Sequence, residues 1–423
     1  MIKLLVIADD FTGALDTGIQ FGARSAKIRV TSVEQQGIFG GLDEKFKVLI
    51  LDTETRHVAP GQAYREIYRI VSEAAEAGIP YIYKKTDSGM RGNIGSELSA
   101  MLAASGQKRV HFVPAFPQMN RRTVNGVQYI GDLPVAESVF GSDPFEPVHY
   151  SSVSEIIASQ SAVETHMLGP DVSGELPRGV LIYNSDTMQD LEQIACHLKQ
   201  RNELHLLAGC AGFASVLPGL LELEPGGGKL PVLHEGLLVV CGSINPITIR
   251  QMDEAERQGA RRIRMRPEQK LRTDWLDTPE GKHCLEKWLE QIEKSGCAIL
   301  ESASDLGQNT VRQYAGQMGL PQGEIRFRIA DTMGTILKRL MDMGLRRTMM
   351  VTGGDTLLAF MEKLRLRELS PVGQPFPGVV LSQIQYQGNV YNLISKSGGF
   401  GKNSLLIDLE HIIQNADKEE LVC

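Results

Sequence analysis

Two acids, a hydroxyl and a glycine arrive together where the first apolar run ends. Ala8-Asp9-Asp10-Phe11-Thr12-Gly13-Ala14 follows Leu4–Ala8 and precedes a helical stretch expected over Leu15–Ala23. Carboxylates at such a position can accept hydrogen bonds from ligand hydroxyls, or one of them can simply cap the helix. A second cluster, Tyr83-Lys84-Lys85-Thr86-Asp87-Ser88-Gly89-Met90-Arg91-Gly92-Asn93, has the same design. Lys85 and Arg91 bring positive charge, Asp87 can take a proton, and Thr86 and Ser88 offer hydroxyl contacts. That mixture suits a small anionic polyol such as a sugar acid, whose carboxylate wants Arg or Lys and whose hydroxyls want Asp, Ser and Thr. Asp52-Thr53-Glu54-Thr55-Arg56 closes another apolar run, and Arg56 either completes a carboxylate clamp or forms a surface ion pair.

The second half of the chain carries glycine turns instead. Met349–Val351 runs into Thr352-Gly353-Gly354-Asp355-Thr356 ahead of a helix over Leu357–Lys363. Leu237–Cys241 runs into Gly242-Ser243-Ile244-Asn245-Pro246, and Val390–Ile394 into Ser395-Lys396-Ser397-Gly398-Gly399-Phe400-Gly401. Backbone N–H groups at a helix start favour phosphate, and glycine lets a phosphate approach the backbone. Three such turns in one domain point to a phosphate site, although each alone reads equally well as a tight structural turn.

Familiar chemistries are excluded by what is missing. Lys402 is followed by Asn403 with no glycine at Walker A spacing, no G-x-G-x-x-G follows a strand, and neither H-E-x-x-H nor G-x-S-x-G occurs. An NAD-linked dehydrogenase is therefore disfavoured. The formal charge of -7 has the wrong sign for non-specific binding to nucleic acid or an anionic membrane, so an anionic ligand needs a local basic site. Arg261-Arg262-Ile263-Arg264-Met265-Arg266 lacks interleaved aromatics and reads as a solvated strand edge; Arg122, in the loop after Pro114-Ala115-Phe116-Pro117, could reach an anion or belong to a turn. Six cysteines without C-x-x-C, no signal-peptide pattern and no membrane-length apolar run lead us to expect a cytoplasmic protein with reduced thiols, and leave a homo-oligomer open.

Elements must hold these groups in place. Val48–Leu51, Ile82–Tyr83, Val110–Val113, Val180–Tyr183, Leu204–Ala208 and Ala298–Leu300 read as further buried strands. Tyr64, Ile67, Tyr68, Val71, Ala74 and Ala75 keep helical spacing between Pro60 and Gly78. Alternating strands and helices with uniformly apolar strands predict an α/β protein with parallel sheets covered on both faces. At 423 residues the chain exceeds one ordinary core, and the proline-flanked glycines of Glu222–Pro231 mark a boundary: residues 1–228, then 229–423.

Together these motifs resemble the four-carbon acid sugar kinases, the threonate, erythronate and 3-oxo-tetronate kinases. The likeness spans about residues 3 to 410 in the same order, and departs from the family pattern at Gly89, Asn120 and Gly399. It implies two α/β domains with a cleft between them, a sugar-acid-binding domain followed by a nucleotide-binding domain, closing on substrate and MgATP. The implied reaction is ATP-dependent phosphorylation of the terminal hydroxyl of a tetronate. Carried over residue by residue, substrate contacts fall on Asp9, Asp10, Arg56, Lys85, Thr86, Asp87 and Ser88; Lys85, Arg56 and Arg91 are expected to hold the substrate carboxylate or to offset charge on the transferred phosphoryl group. ATP contacts fall on Ser243, Gly353, Gly354, Asp355, Thr356 and the Gly398-Gly399 turn. Asp87 is the expected catalytic base, with Asp10 its rival; Mg²⁺ follows from ATP chemistry and no residue pattern names its ligands. Kinases of other small polyol acids, such as 3-oxo-tetronate or glycerate, and a non-catalytic ligand sensor remain the alternatives.

Overall fold

The computed structural model describes residues 2–21, 26–30, 46–143, 146–171, 173–223, 233–303, 308–396 and 398–415. The chain forms two compact units, Met1–Gly227 and Gly228–Cys423. Most of the proline- and glycine-rich boundary stretch lies outside the described residues, as do Ala23, Ser397 and Cys423.

In the first unit the strands are β1 (Leu4–Ala8), β2 (Ala26–Val30), β3 (Val48–Asp52), β4 (Tyr81–Lys85), β5 (Arg109–Val113), β6 (Arg121–Val124), β7 (Val127–Ile130), β8 (Leu133–Pro134), β9 (Thr165–Leu168), β10 (Gly179–Tyr183) and β11 (Leu206–Gly209). Eight of them make a parallel sheet in the order β2-β3-β1-β4-β11-β5-β10-β9, while β6, β7 and β8 form a small antiparallel sheet. Every residue of β1, β3 and β10 is buried, as expected for strands covered on both faces. The helices are α1 (Phe11–Gln20), α2 (Pro60–Glu76), α3 (Ile94–Ser105), α4 (Val153–Ala158), α5 (Met188–Gln200) and α6 (Ala211–Ala214). Helix α2 starts at Pro60 as read, and buries Ile67, Ile70, Val71 and Ala74 against the sheet. Tyr68 instead turns outward, 42% exposed, and stacks on Tyr64. Helix α1 begins four residues earlier than its apolar spacing suggests, because the Asp10 side chain caps it.

The second unit contains β12 (Leu237–Cys241), β13 (Arg261–Arg264), β14 (Cys297–Glu301), β15 (Thr348–Thr352), β16 (Glu368–Phe376), β17 (Val379–Tyr386) and β18 (Asn389–Lys396). Their order is β13-β14-β12-β15-β18-β17-β16, parallel as far as β18 and antiparallel through the final meander. The helices are α7 (Pro246–Arg257), α8 (Pro267–Leu271), α9 (Pro279–Glu293), α10 (Gln308–Gln317), α11 (Ile325–Asp342), α12 (Gly354–Leu364) and α13 (Leu405–Asn415). Both units are thus mainly parallel α/β sheets flanked by helices. The arginine run proves less solvated than its composition suggests: the Arg262 side chain is 3% exposed and paired with Asp253, Glu256 and Glu301. Cys210, Cys241 and Cys297 are buried free thiols, Cys284 is half-buried, and Cys196 is exposed. Among the described residues no helix is long and apolar enough to cross a membrane.

Candidate active site

Strand order explains why distant motifs meet. β1 lies between β3 and β4 in parallel register, with Ala8 opposite both Asp52 and Lys85, so three polar loops leave the same sheet edge side by side. The carboxyl ends of adjacent parallel strands are where open α/β sheets bind ligands. Likewise β15 lies between β12 and β18, with Thr352 opposite both Cys241 and Lys396, which gathers the three glycine turns in the second unit.

In the first unit Arg56 is the hub. Its Nε donates to Asp9 Oδ2 at 2.7 Å and its Nη2 to Asp10 Oδ1 at 2.6 Å, while Asp87 Oδ1 lies 3.9 Å away. Burial would weaken the guanidinium's hold on its proton, but Asp10 and Asp9 outweigh it and push its pKa well up. Asp10 also accepts from Gly13 N at 3.1 Å and Thr12 Oγ1 at 2.6 Å, so it carries the capping role for α1. Asp9 is buried, and its carboxyl is nonetheless held below the ordinary range, burial being outweighed by Arg56, Lys85 and Lys84. Its Oδ1 has no hydrogen-bond partner, and neither has the buried Thr86 Oγ1.

Asp87 accepts from Arg91 Nε at 2.8 Å, and Arg91 also reaches Asp143 at 3.2 Å. Burial raises the Asp87 pKa, but Arg91 and Arg56 drive it well below the carboxylate range, so Asp87 stays ionised. Behind this cluster lies a buried brace absent from the sequence reading. Lys84 pairs with Glu97 at 3.0 Å, Glu97 accepts from Thr55 Oγ1, and Asn93 Nδ2 donates to the carbonyls of Thr55 and Val58 at 2.8 and 2.9 Å. These bonds fix the backbone on either side of Arg56. Glu54, at φ 48°, supplies a further cap by accepting from Phe11 N at 3.2 Å. Only the apolar strand and helix pattern around these residues hinted at their burial.

The neighbouring arginines on β6 exchange the roles that the sequence allowed. Arg122 points outward to Asp132, Asp186 and the Gly131 carbonyl, whereas Arg121 is 3% exposed and donates to Ser88 Oγ. Asp16, also missed, is buried in α1, and desolvation lifts its pKa to about 6 despite Lys85 and Arg121. The folded state therefore keeps a proton that the unfolded chain releases near the ordinary carboxylate value, and stability falls as pH rises from about 4 to about 6. Asp16→Asn should remove this cost. We expect a stabilisation on the order of 2–3 kcal/mol at pH 7.5 and almost none at pH 4, read by calorimetric melting; equal shifts at both values would contradict it.

In the second unit the turns touch one another. A Cβ on Gly242 would sit 2.0 Å from Thr356 Oγ1, and one on Gly398 would sit 2.7 Å from Ser243 Oγ. Gly353, the residue before α12, has φ 109°, a conformation open mainly to glycine. Asp355 and Thr356 stand in the first turn of α12, whose free N–H groups favour anions. Lys396, which lies in the third motif but was not singled out, is buried, donates from Nζ to Thr248 Oγ1 at 2.8 Å and to the Gly398 carbonyl at 3.2 Å, and has its pKa pushed down to about 7 by burial. Gly399 continues that turn, half-buried. The close-packed glycine backbones form a cradle that side chains would fill, which fits a polyphosphate. Among the described residues no group of three or more His, Cys, Asp or Glu could hold a metal ion. Mg²⁺ needs only one or two carboxylates when phosphates supply other ligands; the acidic residue in the first turn of α12 is Asp355, whose Oδ2 lies 4.0 Å from Arg326 Nε.

Two α/β units, one edged with carboxylates and cations and one with glycine turns, define a two-substrate transferase. The chain belongs to the four-carbon acid sugar kinase family: residues 4–217 match the family's sugar-binding N-terminal domain and residues 238–406 its nucleotide-binding C-terminal domain. It is thus a kinase, a phosphotransferase of that family. Among its relatives is a D-threonate kinase of Salmonella typhimurium, 27% identical with both chains covered completely. A D-erythronate kinase of Heliobacterium modesticaldum is 28% identical over 86% of each chain, and a 3-oxo-tetronate kinase of Pseudomonas fluorescens 27% identical over 93% of each. A solved Haemophilus influenzae structure shares the fold, with a TM-score of 0.64 at 18% identity over 97% of this chain and 100% of that one.

Proposed function

We propose that the chain phosphorylates the terminal (4-) hydroxyl of a four-carbon sugar acid such as D-threonate or D-erythronate, using ATP. The observation that carries this reading is the pair of buried, unpartnered acceptors, Asp9 Oδ1 and Thr86 Oγ1, inside a cluster of buried Arg and Lys side chains. Unsatisfied buried polar atoms are costly, and substrate hydroxyls would satisfy them. Asp9, Asp10, Thr86 and Ser88 read the hydroxyls, and Asp87 orients the attacking one and accepts its proton. An aspartate with so low a pKa is a weak base. Phosphoryl transfer passes through a loose transition state and asks chiefly for positioning, so a fixed acceptor meets the requirement.

Ser243, Gly353, Gly354, Asp355, Thr356, Gly398 and Gly399 hold the ATP phosphates through backbone N–H groups and hydroxyls. Mg²⁺ bound with ATP would neutralise phosphate charge. Gly242→Ala should raise KM for ATP about 10-fold or more, because its methyl would drive Thr356 out of the cradle, and should leave KM for the sugar acid unchanged. An unaltered ATP KM would remove the turn from nucleotide binding. The reading itself is tested by ³¹P NMR of the product. A phosphate coupled to the terminal CH₂ of the tetronate supports it, and a phosphate on a secondary carbon, or none, refutes it.

A further inference from the structure

The third glycine turn is held from one side by a single helix. Thr248 and Gln251 lie three residues apart on α7, both buried, and so share a face of it. Thr248 Oγ1 donates to the Gly398 carbonyl at 2.9 Å and accepts from Lys396 Nζ at 2.8 Å, which ties the last residue of β18 into the same contact. Gln251 Nε2 donates to two carbonyls, those of Phe400 and Lys402, each at 2.9 Å. One nitrogen bearing two hydrogens thus fixes two peptide groups, which neither a hydroxyl nor a carboxylate at this position could do. The arrangement has a cost, because Gln251 Oε1 is buried without a hydrogen-bond partner. Gly401, between the two held carbonyls, has φ 87°, and a Cβ on it would stand 3.0 Å from Gln251 Nε2 and 2.7 Å from Leu405 Cδ2. Only glycine suits that position.

In a planar trans peptide the C=O of one residue and the N–H of the next point in opposite directions. Drawing the Phe400 and Lys402 carbonyls toward α7 therefore turns the N–H groups of Gly401 and Asn403 away from it. We propose that Thr248 and Gln251 are positioning residues for nucleotide binding, which hold the third glycine turn with its carbonyls withdrawn from the phosphates. This rests on the reading of that turn as an ATP contact. Carbonyl lone pairs repel a phosphate, whereas the opposite side of the same peptides presents donors. The turn also abuts the first one: a Cβ on Gly398 would sit 2.7 Å from Ser243 Oγ and 2.9 Å from Asn245 Cβ, and Asn245 caps α7. A shift of the turn would therefore disturb Ser243 as well.

The test is calorimetric titration of the full chain with ADP and, separately, with D-threonate, followed by steady-state kinetics. Gln251→Met keeps much of the side chain's length and removes both donors. It should weaken ADP binding and raise KM for ATP about 10-fold or more, the scale for a misplaced binding loop, while D-threonate affinity stays within about 2-fold. Thr248→Val should act in the same direction with a smaller loss, and Gln258→Met, at the exposed end of α7, should change nothing. If Gln251→Met melts before it can be titrated, Thr248→Val carries the comparison. Unchanged ADP affinity in a folded Gln251→Met, or in Thr248→Val where that is used, overturns the assignment. Equal losses for ADP and D-threonate overturn it too, since general damage would then explain both. Gln251-dependent ADP binding by a chain that forms no ADP from ATP with any tetronate would refute the kinase reaction and leave the positioning role standing. A wild type that binds no ADP would overturn both.

Discussion

Replacing Asp87 by Asn should lower kcat by about 10²–10⁴-fold, the usual range for a lost general base, with KM for ATP unchanged. The side chain would keep its shape and lose its charge. Asp87 is held ionised by Arg91 at 2.8 Å and by Arg56 at 3.9 Å, so it can accept a proton at any working pH. Asp10 is the competitor, but its carboxylate already accepts from Gly13 N, Thr12 Oγ1 and Arg56 Nη2. Steady-state kinetics on a variant with native circular dichroism decide the matter. Turnover near that of the wild type would take Asp87 out of the role and return attention to Asp10.

Arg56→Met should cost about 3–5 kcal/mol of stability, because it leaves the buried Asp9 and the largely buried Asp10 facing each other without their shared guanidinium. Breaking a buried charge cluster by removing one partner is more damaging than never having built it. Adding Asp9→Asn to Arg56→Met should therefore recover part of the loss, although either change removes binding function. Urea unfolding of the single and double variants supplies the comparison. A loss below about 1 kcal/mol in Arg56→Met would mean that water or Lys85 compensates these carboxylates, and the guanidinium is not their main partner.

The chemistry-bearing loops were legible in the sequence because parallel strands are apolar throughout and end abruptly in polar residues. Leu4–Ala8 into Asp9-Asp10, and Met349–Val351 into Gly353-Gly354, show this change of composition. Adjacency was not legible, since nothing in β1, β3 or β4 says which strands they neighbour. The phase of Arg121 and Arg122 was equally hidden. Two identical side chains in succession look the same from either face, and only the pairing of Arg121 with Ile130 and of Thr123 with Gln128 decides which one turns inward. Strand β16 escaped notice because Pro371, Gly373 and Pro375 read as turns; the structure absorbs the first two at shifts in register against β17. The brace of Lys84 and Glu97 hid for a related reason, since a charged residue beside Lys85 looks like part of a solvated loop until its burial is seen.

ADP release measured by a coupled assay, with MgATP and a panel of D-threonate, D-erythronate, 3-oxo-tetronate and glycerate, tests the central claim most directly. We expect saturable ADP formation that depends on a four-carbon acid and is strongest with D-threonate or D-erythronate. Tight binding of those acids with no ADP formed above the acid-free rate would contradict it, and would make the chain a ligand sensor built on a kinase fold.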